Sequence, residues 1–234
     1  MENEELVQRS PIRIFEQSIH GGLRAGETGV IASQAGIGKT SVLVQLALDK
    51  LLQGKKVIHV SFTQHAHYVI AWYEDIFTQF ISKKNLENAE EVKNNLVKNR
   101  VLMNFNQDGV TKTQIIKSLR AMIVEGGFKA DSIIIDGFDF ARADKESVMA
   151  VKTFATELGV SIWYSCSVKD DGEQYDKENI PVVLGNFTDS LDIIITLQPR
   201  ADHVELSISK DRNSLISKSM AMKLDPKTLL ILEA

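Results

Sequence analysis

The chain has 234 residues, 44% hydrophobic and 25% charged, with a formal net charge of −4. That length suits one large α/β domain and that composition can bury a full core, so a single domain over 1–234 is expected. The acidic balance speaks against a protein whose main task is coating nucleic acid, and a single cysteine, Cys166, excludes an intrachain disulfide and a thiolate zinc cluster.

Residues 1–10 carry Glu2, Glu4 and Glu5 without an apolar run, unlike a secretory signal. No stretch reaches the roughly 18–20 apolar residues a bilayer span requires. A cytoplasmic protein with no membrane partner is therefore expected.

In chain order, Val30, Ile31 and Ala32 form a short apolar run that reads as a buried strand. Residues 39–53 place Val42, Leu43, Leu46, Ala47 and Leu51 at spacings of three and four, an amphipathic helix stopped by Gly54. Strands are predicted over 57–62, 101–105, 132–135 and 161–165, and helices over 68–81, 111–125 (with Thr111 as cap) and 147–158. The charged stretch 83–100 reads as a solvated helix on the side of the domain, because Glu87, Glu90 and Glu91 interrupt its lysines. Strand–helix alternation of this kind predicts a mostly parallel central sheet with helices on both faces.

Past residue 190 the rhythm changes. A strand is expected over 193–197, Val204, Leu206 and Ile208 alternate with polar residues, and Met220, Met222 and Leu224 do the same. Asp225-Pro226 marks a turn before a last strand over 229–232. The C-terminal part is thus an antiparallel meander added to the parallel sheet.

Between the first strand and first helix lies Ser33-Gln34-Ala35-Gly36-Ile37-Gly38-Lys39-Thr40-Ser41. This is where a phosphate-binding P-loop must sit: backbone N–H groups converge on an anion and the helix N-terminus adds partial positive charge. Gln34, Ala35, Gly36, Ile37, Gly38, Lys39, Thr40 and Ser41 form the candidate nucleotide-binding segment. Gly36 and Gly38 let the chain curl without a Cβ clash, Lys39 can reach the β and γ oxygens, and the Thr40 hydroxyl can ligate Mg²⁺. The strict pattern has glycine where Ser33 stands. Asp136, at the end of an apolar strand, fits the carboxylate that holds the metal's water shell, so Thr40 and Asp136 are the candidate metal residues.

With these features the chain resembles the RecA/KaiC/DnaB superfamily, most closely KaiC-like ATPases. The resemblance spans nearly the whole chain and includes Gly21-Gly22-Leu23 with Gly26-Glu27, the P-loop, Ser61-Phe62, Asp136 and Lys210-Asp211-Arg212. It implies a RecA-like P-loop NTPase core, ATP with Mg²⁺ as ligands, and a homo-oligomer, ring or filament, with ATP between subunits. It also implies that Lys210 and Arg212, in a tight turn after the alternating strand, reach the phosphate bound by a neighbouring subunit. Without the resemblance they read equally well as solvated turn residues.

One mismatch bears on activity. KaiC-like relatives carry two glutamates after the second strand, one of which activates the attacking water. Thr63 and Gln64 stand there, and neither accepts a proton at neutral pH. Other P-loop ATPases place glutamate directly after the metal aspartate, where this chain has Gly137. Gln64 could orient a water instead, and Asp139 is a conceivable substitute base. The expectation is ATP binding with slow or absent hydrolysis in a signalling or regulatory factor. The alternatives are an ATPase with an unconventional base and, disfavoured, a DNA-dependent recombinase-like protein. The segment 169–178 sets Asp170, Asp171, Glu173, Asp176 and Glu178 against Lys169 and Lys177, which would repel phosphates.

Other signals read as structural. His65-Ala66-His67 has no third ligand cluster nearby; Trp72, Tyr73 and Phe77 suit core or interface packing; Trp163, Tyr164 and Cys166 read as core.

Overall fold

In the computed structural model, residues 10–63, 65–82, 89–105, 112–169 and 174–233 are described. The strands are β1 (Thr28–Ser33), β2 (Val57–Ser61), β3 (Arg100–Asn104), β4 (Ser132–Asp136), β5 (Ser161–Ser167), β6 (Ile193–Pro199), β7 (Val204–Asp211), β8 (Ser214–Leu224) and β9 (Ile231–Glu233). They form one sheet in the order β3-β2-β4-β5-β1-β6-β7-β8-β9. From β3 to β6 the pairings are parallel, and β6 to β9 pair antiparallel. The expected mixed α/β architecture, mostly parallel with an antiparallel C-terminal part and flanking helices, is present.

Helices α1 (Pro11–Ser18), α2 (Lys39–Leu52), α3 (Ala66–Ser82), α4 (Ala89–Lys98), α5 (Lys112–Arg120) and α6 (Lys145–Leu158) flank the sheet. Strands β1, β2 and β4 are buried along their whole length, the mark of a parallel sheet covered on both faces. Their side chains divide by the period of two. Ile31, Ile134 and Trp163 face one core layer with α2 and α3 residues such as Leu43 and Tyr73. Val30, Ala32, Ile133, Ile135 and Tyr164 face the other with Leu119, Val151 and Phe154.

Several expectations needed correction. Helix α1 was not foreseen, although its signals are local: Ser10 caps it by accepting Ile12 N–H at 3.2 Å, and Pro11 occupies the first turn. Phe15 is fully buried and meets Trp163 edge-on at 6.1 Å, and Arg13 pairs with buried Asp49 of α2. The helix expected over 83–100 is α4 alone, with Arg100 already in β3, and 83–88 lie outside the described residues. The helix expected over 111–125 ends as α at Arg120 and continues as a π turn, Ala121–Glu125; the proposed cap Thr111 lies outside the described residues. A 3₁₀ segment, Val182–Ser190, was missed, and β8 is longer than its apolar alternation suggested because its first half is exposed. Lys210 lies within β7 and not in the turn that follows.

The structural readings hold in part. Tyr73, Phe77, Trp163, Tyr164 and Cys166 are buried, while Trp72 is partly exposed. Among the described residues no helix is long and apolar enough to cross a membrane.

Candidate functional site

The C-terminal ends of the parallel strands bring the site together. At the end of β1 the chain turns through 34–38 into α2, with Gly36 at φ +79° and Gly38 at φ +113°. Gly38 occupies the N-cap position of α2 in the left-handed region and supplies no side-chain cap. A residue with a Cβ would strain this corner, and a capping side chain would compete for the first-turn amides. A Cβ on Gly36 would meet nothing within 4 Å, so the space beside that residue is open.

Lys39, buried, folds back across this turn. Its Nζ donates to the Ser33 carbonyl at 3.0 Å, the Ser33 hydroxyl at 3.3 Å and the Gln34 carbonyl at 2.8 Å. Burial holds its pKa below the ordinary 10.5, with nearby Cys166 and Asp136 acting in the opposite sense. Gln34 also reaches Gln174 beyond β5 at 3.4 Å. The Ser41 hydroxyl turns away from the loop and donates to the carbonyl of Leu229 at 2.5 Å. Only the main chain of Ser41 is therefore left to serve an anion.

Ninety-six residues further on, Asp136 closes β4 and meets α2. Its Oδ2 accepts from the Thr40 hydroxyl at 2.9 Å, and its Oδ1 accepts from the Ser165 hydroxyl of β5 at 2.6 Å. The two residues named from sequence as metal-binding are thus in contact. Ser165 was missed, and its signal was a polar residue among the apolar ones of β5, buried at 2% exposure.

Thr63 follows β2 and lies against Gly137, the residue after Asp136. Gly137 has φ +82°, and a Cβ there would stand 2.6 Å from Thr63 Cγ2. A glutamate directly after Asp136 would therefore be strained by the backbone conformation and would have to displace the Thr63 side chain. Two clefts of about 660 Å³ and about 470 Å³ open on either side of Thr63, the first along α3 and the 227–229 turn, the second along 137–141 and 167–169. Asp139 lines the second cleft, where it accepts Ala141 N–H at 3.1 Å and pairs with Arg142 at 3.4 Å. Gln64 and residues 170–173 of the acidic segment lie outside the described residues.

Lys210 and Arg212 lie at the other end of the sheet. Asp211 pairs with Ile193, which sits beside Gly29 near the start of β1. At about 3.3 Å per residue, that level is on the order of 15 Å from the loop 34–38. Lys210 Nζ donates to the carbonyls of Thr188 (2.5 Å) and Leu191 (2.6 Å). Arg212, at φ +53°, holds Glu27 through Nε and Nη2 at 2.9 Å each, Asp211 through Nη1 at 2.6 Å, and the carbonyls of Ile19 and Gly22. Both cations are engaged within their own chain, and neither touches the loop 34–38.

Beneath the site, His59 of β2 is buried at 1% exposure with Nδ1 3.1 Å from the Tyr73 hydroxyl, and its Nε2 has no hydrogen-bond partner. Burial pushes its pKa down from 6.5 to about 4, Asp136 opposing and Arg100 assisting. The unfolded chain takes up this proton near pH 6.5 and the folded chain only near pH 4. Stability is therefore lost as pH falls between these values, reaching about 3 kcal/mol below pH 4 at ~1.4 kcal/mol per pH unit. Thermal melting across pH 4–7 should show that loss in the wild type and a flatter profile in His59→Leu. Identical profiles would remove His59 as the cause.

Comparison of the chain with protein-family models and with curated proteins finds no match, so a functional reading stands on the residues and their geometry.

Proposed function

We propose that the chain binds ATP with Mg²⁺ at the loop 34–41, as a RecA/KaiC-like P-loop protein, and assembles through the bound nucleotide with slow or absent hydrolysis. The observation that carries the reading is the 2.9 Å contact between the Thr40 hydroxyl and Asp136 at the N-terminus of α2, beside buried Lys39. A turn of open amides, a lysine and an oxygen-only pair with one carboxylate are what a magnesium-bound polyphosphate requires. The donor set fits Mg²⁺, which would offset phosphate charge there; Thr40 and Asp136 would hold it, and Lys39 would exchange its carbonyl partners for phosphate oxygens. The strand order supports the same reading, since one strand, β5, separates the P-loop strand from the acidic strand.

Assembly rests on the hairpin that carries Lys210 and Arg212. Its distance from its own P-loop leaves a second copy as the one that could receive these cations, by exchange of the Glu27, Thr188 and Leu191 contacts. Binding without an evident general base at Thr63 or Gly137 supports a signalling or regulatory role over a turnover role.

The test is a binding titration with a non-hydrolysable ATP analogue, with and without Mg²⁺, alongside size-exclusion chromatography. Magnesium-dependent binding and a nucleotide-dependent increase in size are expected. Absence of affinity for any triphosphate would end the reading, and an unchanged monomer would remove its assembly part.

A further inference from the structure

We propose that Ser165 is a positioning residue that orients the Asp136 carboxylate toward the metal position. The inference rests on the reading of the site as one for a magnesium-bound triphosphate, and concerns how metal and protein meet there.

Ser165 lies in the middle of β5, between Tyr164 and Cys166, which face the opposite core layer. Packing alone would favour an apolar side chain at this covered position. The hydroxyl there has two directional bonds. Its proton goes to Asp136 Oδ1 at 2.6 Å, and its oxygen accepts Gly137 N–H at 2.7 Å. With its proton directed to Asp136 and its oxygen accepting from Gly137, the Ser165 hydroxyl has its orientation fixed from both sides. Bonding at Oδ1 fixes the plane of the carboxylate and turns Oδ2 to Thr40. The bond to Gly137 fixes the backbone just beyond, at the φ +82° corner against Thr63. One buried hydroxyl therefore sets both the direction of the acidic ligand and the turn that follows it.

Outer partners of this kind align a ligand before the ion arrives, and losing them costs about 10- to 100-fold in metal affinity. The experiment titrates Mg²⁺ against binding of a non-hydrolysable ATP analogue to wild type, Ser165→Ala, Ser165→Cys and Ser165→Thr. The alanine and cysteine variants should need roughly 10- to 100-fold more Mg²⁺ for the half-maximal effect. Their analogue affinity in excess chelator should equal that of the wild type, a split that general loosening of the fold would not produce. Threonine keeps the hydroxyl and should keep the wild-type magnesium requirement. Cysteine fills nearly the same space with a poor donor, so it remains informative if alanine fails to fold. An unchanged magnesium half-point in folded alanine or cysteine variants overturns the proposal and leaves the nucleotide reading intact. A wild type that shows no magnesium-dependent binding overturns both.

Discussion

Lys39→Ala should weaken binding of a magnesium-bound ATP analogue by roughly 10- to 100-fold, because a hydrogen bond to a charged group contributes about 1.5–3 kcal/mol and each 1.4 kcal/mol is tenfold. Lys39 is the one buried lysine among the described residues, and its three acceptors in the free chain are oxygens of Ser33 and Gln34, which a phosphate can replace. A second signature follows from its pKa, held below the ordinary 10.5 by burial. A polyanion favours the charged form, so binding takes up a proton wherever the free chain has Lys39 partly neutral. Affinity should fall as pH rises through that free-state value, and Lys39→Ala should lose this part of the slope. Calorimetry in buffers of different ionisation enthalpy measures both quantities. Wild-type affinity in a folded Lys39→Ala variant would remove the lysine from the site.

The double variant Thr63→Glu/Gln64→Glu should raise the steady-state ATP turnover by about 10²- to 10⁴-fold, the usual contribution of a positioned general base. Thr63 touches the Gly137 corner beside Asp136 and lines both clefts, so a carboxylate introduced there would stand near the proposed metal and phosphate position. Gly137→Glu should not have this effect, because a side chain at φ +82° is strained and must push Thr63 aside. Phosphate release, measured with Lys39→Ala as background, distinguishes the cases. A wild type that already turns over at an ordinary ATPase rate would favour the alternative in which another group, such as Asp139, supplies the base.

Much of the frame was legible from local pattern. Apolar runs at Val30–Ala32 and Ile133–Ile135, helical spacing after Lys39 and alternation after Val204 each report how an element is buried. The loop from Gln34 to Ser41 was readable because its chemistry is contiguous. Helix α1 was legible and overlooked, since Ser10-Pro11 carries its cap within two residues.

The rest depends on which elements become neighbours, and periodicity is silent on that. The sequence by itself determined most of the strand–helix succession, the contiguous segment 34–41 proposed to hold phosphate, and the acidic strand end. Tertiary structure decided that β5 lies between β1 and β4, and so put Ser165 on Asp136 across 29 residues and Thr40 on Asp136 across 96. It also placed Lys210 and Arg212 at the end of the sheet away from the loop 34–38, tied to Thr188, Leu191 and Glu27. The physical reason is the same in each case. Side-chain period is set by the backbone of one element, whereas a hydrogen bond between distant residues exists only after the crossovers have ordered the sheet.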